Sequence, residues 1–119
     1  MKKSNDRRVG GCAGHRAPPE NCIFCKIIAG EIPCEKVYED KHTLAFLDAK
    51  PVNPGHTLIV PKAHVRNIFD CPPETLNKVM ATVQKVAKKY PCVKIVQNNE
   101  KPLQEVFHLH FHVIPYPHT

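Results

Sequence analysis

Apolar residues in this chain mostly fall in short runs cut by proline and glycine, with one longer exception. Between Glu74 and Lys89, Leu76, Val79, Met80, Val83, Val86 and Ala87 recur at helical spacing and mark a single apolar stripe. Asn77, Lys78, Gln84, Lys85, Lys88 and Lys89 take the opposite side. Glu74 falls in the first turn and Lys88-Lys89 in the last, as the helix dipole favours. A short helix is expected over Phe24–Ala29, stopped by Gly30 and Pro33. Lys36–Glu39 and Thr43–Leu47, joined by the polar Asp40-Lys41-His42, read as a hairpin. Pro51 and Pro54-Gly55 break the chain before a strand over His56–Val60, which Pro61 closes. Two final strands are predicted over Cys92–Val96 and Val106–Ile114. The order β-β-β-α-β-β implies an α+β fold, an antiparallel sheet of about five strands with one long and one short helix packed on one face.

Composition narrows this picture. A chain of 119 residues with a 42% apolar share suits one core, and its 12 prolines, about twice the usual share of roughly 5%, favour short elements and fixed turns. The net charge of +6 is unevenly spread, because residues 1–16 alone hold Lys2, Lys3, Arg7, Arg8 and Arg16 against Asp6. Residues 1–20 are polar, lack periodicity and end near Pro18-Pro19, which reads as a solvated, disordered basic tail before one domain over 21–119. The tail has no aromatic residue for stacking on bases, so a nucleic-acid partner is not expected. No run approaches the roughly 18 apolar residues of a membrane span, and no apolar signal core follows the basic start. A cytoplasmic or nuclear setting follows, where the six cysteines stay reduced and a close pair reads as a metal site or as packing.

The last predicted strand changes the picture most. In Val106-Phe107-His108-Leu109-His110-Phe111-His112-Val113-Ile114, alternation puts Phe107, Leu109, Phe111 and Val113 on one face and three histidines on the other. Imidazoles can be nucleophiles, proton carriers or metal ligands, so the count alone leaves metal binding and phosphate transfer equally open. Strand geometry spaces the outer two about 13 Å apart, too far for all three to share one metal. A division follows, with one end binding metal and the remainder acting on a substrate.

Four segments, in order, resemble the histidine triad (HIT) family, Hint-like branch, over Asn21–Tyr116. They are Cys22-Ile23-Phe24-Cys25-Lys26-Ile27-Ile28-Ala29-Gly30-Glu31-Ile32-Pro33, Leu44-Ala45-Phe46-Leu47-Asp48, Pro54-Gly55-His56-Thr57-Leu58-Ile59-Val60-Pro61-Lys62-Ala63-His64, and Gln104-Glu105-Val106-Phe107 leading into His108-x-His110-x-His112. The resemblance implies a homodimeric α+β enzyme that cleaves a purine nucleoside monophosphate (AMP or GMP) from an amine or related leaving group. It makes His110 the nucleophile that forms a covalent nucleotidyl-histidine, with His112 contacting phosphate and His56 completing a proton relay. Asp48 then accepts from the ribose hydroxyls. Ile23, Phe24, Ile27, Ile32 and Phe46 line the base pocket, with Asn98, Gln104 and Glu105 on the nucleotide. From the residues alone, the apolar five fit a core equally well, and Asp48 fits a turn cap before Pro51.

Cys22-x-x-Cys25 is half of a structural zinc signature. The resemblance supplies His64 and His108 as the other half, giving a closed structural Zn²⁺ set and no metal for the chemistry; two packed thiols are the alternative. The chain also departs from the family. Asn98-Asn99-Glu100-Lys101-Pro102-Leu103-Gln104 has no glycine, so the phosphate cradle is expected to be missing or reshaped. Tyr116 stands where many relatives have arginine. A diadenosine polyphosphate hydrolase, and a zinc-stabilised nucleotide-binding or scaffold protein with little turnover, are the alternative functions.

Overall fold

Helix α1 (Ile23–Ile28) starts on Cys22, whose sulfur accepts the Cys25 N–H at 3.3 Å and so caps the first turn. This computed structural model describes residues 21–117, and the expected basic tail lies outside them. Five short strands follow, β1 (Lys36–Glu39), β2 (Thr43–Leu47), β3 (Thr57–Pro61), β4 (Val93–Val96) and β5 (Phe111–Pro115), with α2 (Pro73–Ala87) between β3 and β4. Pro73 opens α2 where a missing N–H costs nothing. All pairings are antiparallel, in the order β1-β2-β3-β5-β4. The fold is α+β, as expected. Among the described residues no helix is long and apolar enough to cross a membrane.

Two expectations need correction. The helices do not share a face. Ala45, Ile59, Phe111 and Val113 pack with Val79, Val83 and Val86 of α2, whereas their strand neighbours Leu44, Phe46, Leu58 and Val60 pack with Phe24 and Ile27 of α1. Because neighbours along a strand point to opposite sides, α1 and α2 cover opposite faces, and strands buried on both faces carry continuous apolar runs. The final strand is also shorter than Val106–Ile114. Its ladder with β3 runs from Thr57↔Val113 to Ile59↔Phe111 and stops. Two residues further on, the same register would set Leu109 opposite Pro61, which has no N–H to donate. The Leu109 N–H goes instead to the Val65 carbonyl at 2.9 Å, and residues 105–110 turn away from the sheet.

Gly55 positions the start of β3. Its φ of +87° suits glycine, and a Cβ there would lie 2.9 Å from the Tyr90 hydroxyl and 3.2 Å from Pro115. A buried Thr43–Thr82 hydroxyl pair at 2.7 Å fastens β2 to α2 on the other side of the sheet from the histidines.

Candidate active site

Leu58 pairs with His112 across the β3–β5 ladder, so His112 points to the face that α1 covers. His110 and His108 precede it on the turning segment. The divided row expected from the sequence is present, with His108 among the cysteines and His110 and His112 beyond it.

His110 is 8% exposed. Its Nδ1–H donates to the His108 carbonyl at 2.8 Å, and the Phe24 ring meets it edge-on at 5.0 Å between centroids. With Nδ1 protonated, Nε2 keeps its lone pair. Burial lowers the His110 pKa despite that hydrogen bond, so the ring is neutral at neutral pH.

The next two histidines have assignable protons as well. The Val52 N–H donates to His56 Nδ1 at 3.0 Å, so the His56 proton sits on Nε2. That Nε2–H donates to His112 Nδ1 at 2.9 Å, which leaves His112 with its proton on Nε2. Burial, and then the like charges of His110 and His56, lower His112 to about 4. Burial also lowers His56, with Asp48 opposing it. Asp48 Oδ2 lies 3.5 Å from His56 Nε2, while its Oδ1 accepts the Lys50 N–H at 2.9 Å. Asp48 thus caps the turn before Pro51 with one oxygen and approaches His56 with the other.

Two clusters offer metal-ligating atoms within 4.8 Å of one another: Cys22, Cys25, His64 and His108, and Asp48, His56 and His112. Hydrogen bonding separates them. His108 Nε2–H donates to the Pro61 carbonyl at 2.8 Å, which leaves Nδ1 unprotonated and facing the cysteines. The His64 and His108 Nδ1 atoms are 3.2 Å apart, and sulfur–nitrogen distances are 3.2 Å for Cys25–His64 and 3.5 Å for both Cys22–His108 and Cys25–His108. A tetrahedral ion with zinc's bond lengths needs edges of about 3.3 Å between nitrogens and about 3.5 Å between nitrogen and sulfur. The set fits. The two thiols also respond to each other. Burial opposes ionisation of Cys22 while the Cys25 N–H that its sulfur accepts favours it, whereas burial and the Cys22 charge push Cys25 up. In the second cluster, Val52 already uses the His56 Nδ1 lone pair, so Nε2 carries a proton where a ligand needs none. That cluster lacks the bare imidazole nitrogen that a metal ligand needs at His56.

Phe24, Ile27 and Phe46 are buried together, with Ile32 half-buried against them. Phe24 joins this cluster to His110, and to Phe46 at 5.6 Å. Ile23 stands apart, 44% exposed, in a cleft of about 490 Å³ that Glu105, Val106 and Phe107 also line. Asn98 is half-buried, and its carbonyl accepts from the Gln97 amide at 3.1 Å. Gln104 is turned inward. Its amide donates to the Arg66 and Val106 carbonyls at 2.7 and 3.0 Å and accepts from Asn67 and the Glu100 N–H at 3.0 and 2.8 Å.

The glycine-free loop turns at Glu100. Glu100 occupies the left-handed region at φ +72°, a conformation few side chains take without support. Arg66 grips its carboxylate at 2.6 and 2.9 Å, Asn67 adds a bond at 2.6 Å, and the guanidinium lies 4.1 Å over Phe107. Sequence reasoning missed the contacts of Arg66 and Asn67 with Glu100, which lies more than thirty residues further along the chain. It also missed Val52 and Pro61, which act through main-chain groups that no side-chain motif reports.

The HIT domain family model matches residues 29–119. The Bacillus subtilis protein hit is 47% identical over 103 residues, covering 81% of this chain and 71% of its own length. An adenosine 5'-monophosphoramidase of Saccharomyces cerevisiae is 47% identical over 97 residues, covering 79% of this chain and 61% of its own. A crystal structure of a zinc-bound histidine triad family protein from Mycobacterium smegmatis superposes with a TM-score of 0.77 at 37% identity, over 82% of this chain and 76% of that one.

Proposed function

This chain belongs to the HIT domain family, and from there we propose that it is a nucleotidyl hydrolase releasing a purine nucleoside monophosphate from an amine or related leaving group. The yeast relative's activity as a phosphoramidase supports that reaction class. The observation that carries it is the His110 Nδ1–H bond to the His108 carbonyl, which leaves a neutral ring with its Nε2 lone pair available.

His110 Nε2 attacks the α-phosphorus, and the bond from phosphorus to the amine breaks. The product is a nucleotidyl-histidine that keeps its Nδ1–H on the His108 carbonyl. His112 Nε2–H is the proton donor to the departing amine. The anionic phosphoryl group beside His112 favours its protonated form, opposing the effect of burial. Asp48, 3.5 Å from His56 Nε2, accepts the His56 N–H when His112 takes the extra proton. In the second step water attacks phosphorus, bond cleavage frees His110, and the histidine pair takes the proton that water loses. Over both steps the enzyme returns to its starting protonation.

Asp48 also receives the ribose hydroxyls, and Phe24, Ile27, Ile32 and Phe46, with Ile23 at the mouth, face the purine. Asn98, Gln104 and Glu105 shape the phosphate side, Gln104 through the loop it braces. A structural zinc ion on Cys22, Cys25, His64 and His108 ties α1 to the segment before β5; four protein ligands leave it no open position for chemistry. The zinc-bound relative supports this part. Ile95 on edge strand β4 is 47% exposed and Met80 on α2 is exposed too, which suits burial in a homodimer. Cys34 and Cys92 are reduced thiols, which suits the cytoplasm.

The test is mass spectrometry of wild type and His110→Ala after brief mixing with adenosine 5′-phosphoramidate, with released AMP measured alongside. An AMP adduct on the His110 peptide and release by wild type alone support the reading. AMP binding without adduct or release makes the chain a nucleotide-binding protein, the alternative that the braced, glycine-free loop favours.

A further inference from the structure

Three successive residues after β3 hold the glycine-free loop. Arg66 takes the Glu100 carboxylate at 2.6 and 2.9 Å, Asn67 adds its amide at 2.6 Å, and the Ile68 N–H donates to Asn99 Oδ1 at 2.8 Å. The Glu100 backbone depends on this grip. At φ +72° a Cβ crowds the following carbonyl, a penalty that glycine escapes. In that shape the Glu100 N–H donates to Gln104 Oε1 at 2.8 Å, and its carbonyl accepts the Leu103 and Gln104 N–H groups at 3.1 and 3.0 Å. Those bonds close the turn. Asn98, two residues earlier, is half-buried, and among the described residues its side-chain amide has no hydrogen-bond partner.

We infer that Arg66 is a positioning residue for the phosphate side of the site. Its fork on Glu100 holds the loop in a turn that glycine would take unaided, and so sets where the Asn98 amide meets the substrate. The inference rests on the role proposed above for Asn98. A guanidinium matches a carboxylate with two charged bonds, and the Phe107 ring 4.1 Å beneath keeps its plane from swinging away. The Arg66 carbonyl also accepts from the Gln104 amide at 2.7 Å, so one residue ties both ends of the turn. Without the fork, Asn67 keeps a single bond to the carboxylate from a neutral amide, which is the weaker kind. Glu100 then relaxes to negative φ, its bonds to Leu103 and Gln104 open, and Asn98 is no longer fixed. The His110 ring keeps its bond to the His108 carbonyl, so the loss falls on substrate binding rather than on the nucleophile.

The experiment is a double-mutant cycle on the full-length chain, with Arg66→Ala and Glu100→Gly made singly and together. It reads kcat and KM for adenosine 5′-phosphoramidate, AMP affinity by calorimetry and the melting temperature. Arg66→Ala should raise KM and the Kd for AMP by about 5- to 30-fold, with kcat changed less than about threefold. Where both chains compared carry Glu100→Gly, the same substitution should cost less than about threefold, because glycine needs no clasp. Equal cost in the two backgrounds overturns the inference, since Arg66 would then act on the substrate itself. A lower melting temperature with KM and Kd unchanged overturns it too, leaving the clasp to stability alone. If Arg66→Ala fails to fold, Arg66→Lys keeps the charge without the fork and is read in the same way. Wild type that binds AMP but releases none sinks the hydrolase reading alone, because the cycle is then read on Kd. Wild type that binds no AMP sinks both.

Discussion

His110 Nδ1 lies 2.8 Å from the carbonyl oxygen of His108, so the residue that faces the cysteines also orients the proposed nucleophile. Alternation along the chain makes this contact natural, since a ring two residues on can fold back on the preceding carbonyl. It also separates two kinds of substitution. His110→Ala removes the nucleophile and should lower AMP release by at least about 10³-fold. It leaves the buried His108 ring bonded to Pro61. Steady-state kinetics with adenosine 5′-phosphoramidate, alongside zinc stoichiometry, checks both halves; retained turnover in His110→Ala would move the nucleophile elsewhere.

His112→Asn should lower kcat by about 10²- to 10⁴-fold, the range for loss of an acid–base group. It should also change how stability follows pH. The folded-state value of about 4 lies below the ordinary histidine value of about 6.5. Between those values the unfolded chain binds more protons, so this contribution is complete above about pH 6.5 and is lost as pH falls towards 4. Wild-type Tm should therefore drop further than that of His112→Asn between pH 7 and pH 4.5. Metal loss in acid acts alike on both, and parallel melting curves would count against a neutral, buried His112.

Cys25→Ser takes one ligand from a set whose donor spacings fit a tetrahedral ion. The variant should bind less than one zinc per chain and lose about 2–3 kcal/mol, which lowers Tm by roughly 10–20 °C in a domain of this size. Chelating the wild type should reproduce the shift, and chelator should do little more to the variant. Equal melting of wild type with and without chelator would leave the thiols as packing.

Gln104→Ala should be costly although it touches no proposed reacting atom. It strips partners from the Asn67 amide, the Glu100 N–H and two carbonyls within a largely buried network. A loss of about 2–4 kcal/mol is expected from urea unfolding, on the scale of buried polar groups left unpaired. Cost near zero would mean that the loop holds its shape through Arg66 and Glu100 alone.

The histidines and the α2 stripe were legible because alternation and helical spacing are local patterns. Cys22, Cys25, His64 and His108 converge as the resemblance implied, and Asp48 meets His56 and His112. The strand over 106–110 was misread because nothing within that segment reports that Pro61, nearly fifty residues earlier, withholds the next ladder bond. The side assigned to α1 was missed for a similar reason, since six helical residues show no stripe that picks one face of a sheet buried on both. Gln104 looked available for a nucleotide, yet its contacts with Asn67 and Arg66 depend on a turn held by Glu100, a residue that composition gives no cause to place at positive φ.

In the sheet order β1-β2-β3-β5-β4, the strand that comes last along the chain is an interior one. Phe111–Pro115 must therefore pair with β3 on one side and bring in β4 on the other, closing loops as long as the 56 residues from His56 to His112. Such distant pairings form late, after local structure has met the cost of chain closure. Asp48 and His56 are synthesised well before His112, and Cys22 and Cys25 well before His108, so a chain interrupted before His108 lacks the whole histidine row. The histidine row and the last strand of the sheet thus arrive together.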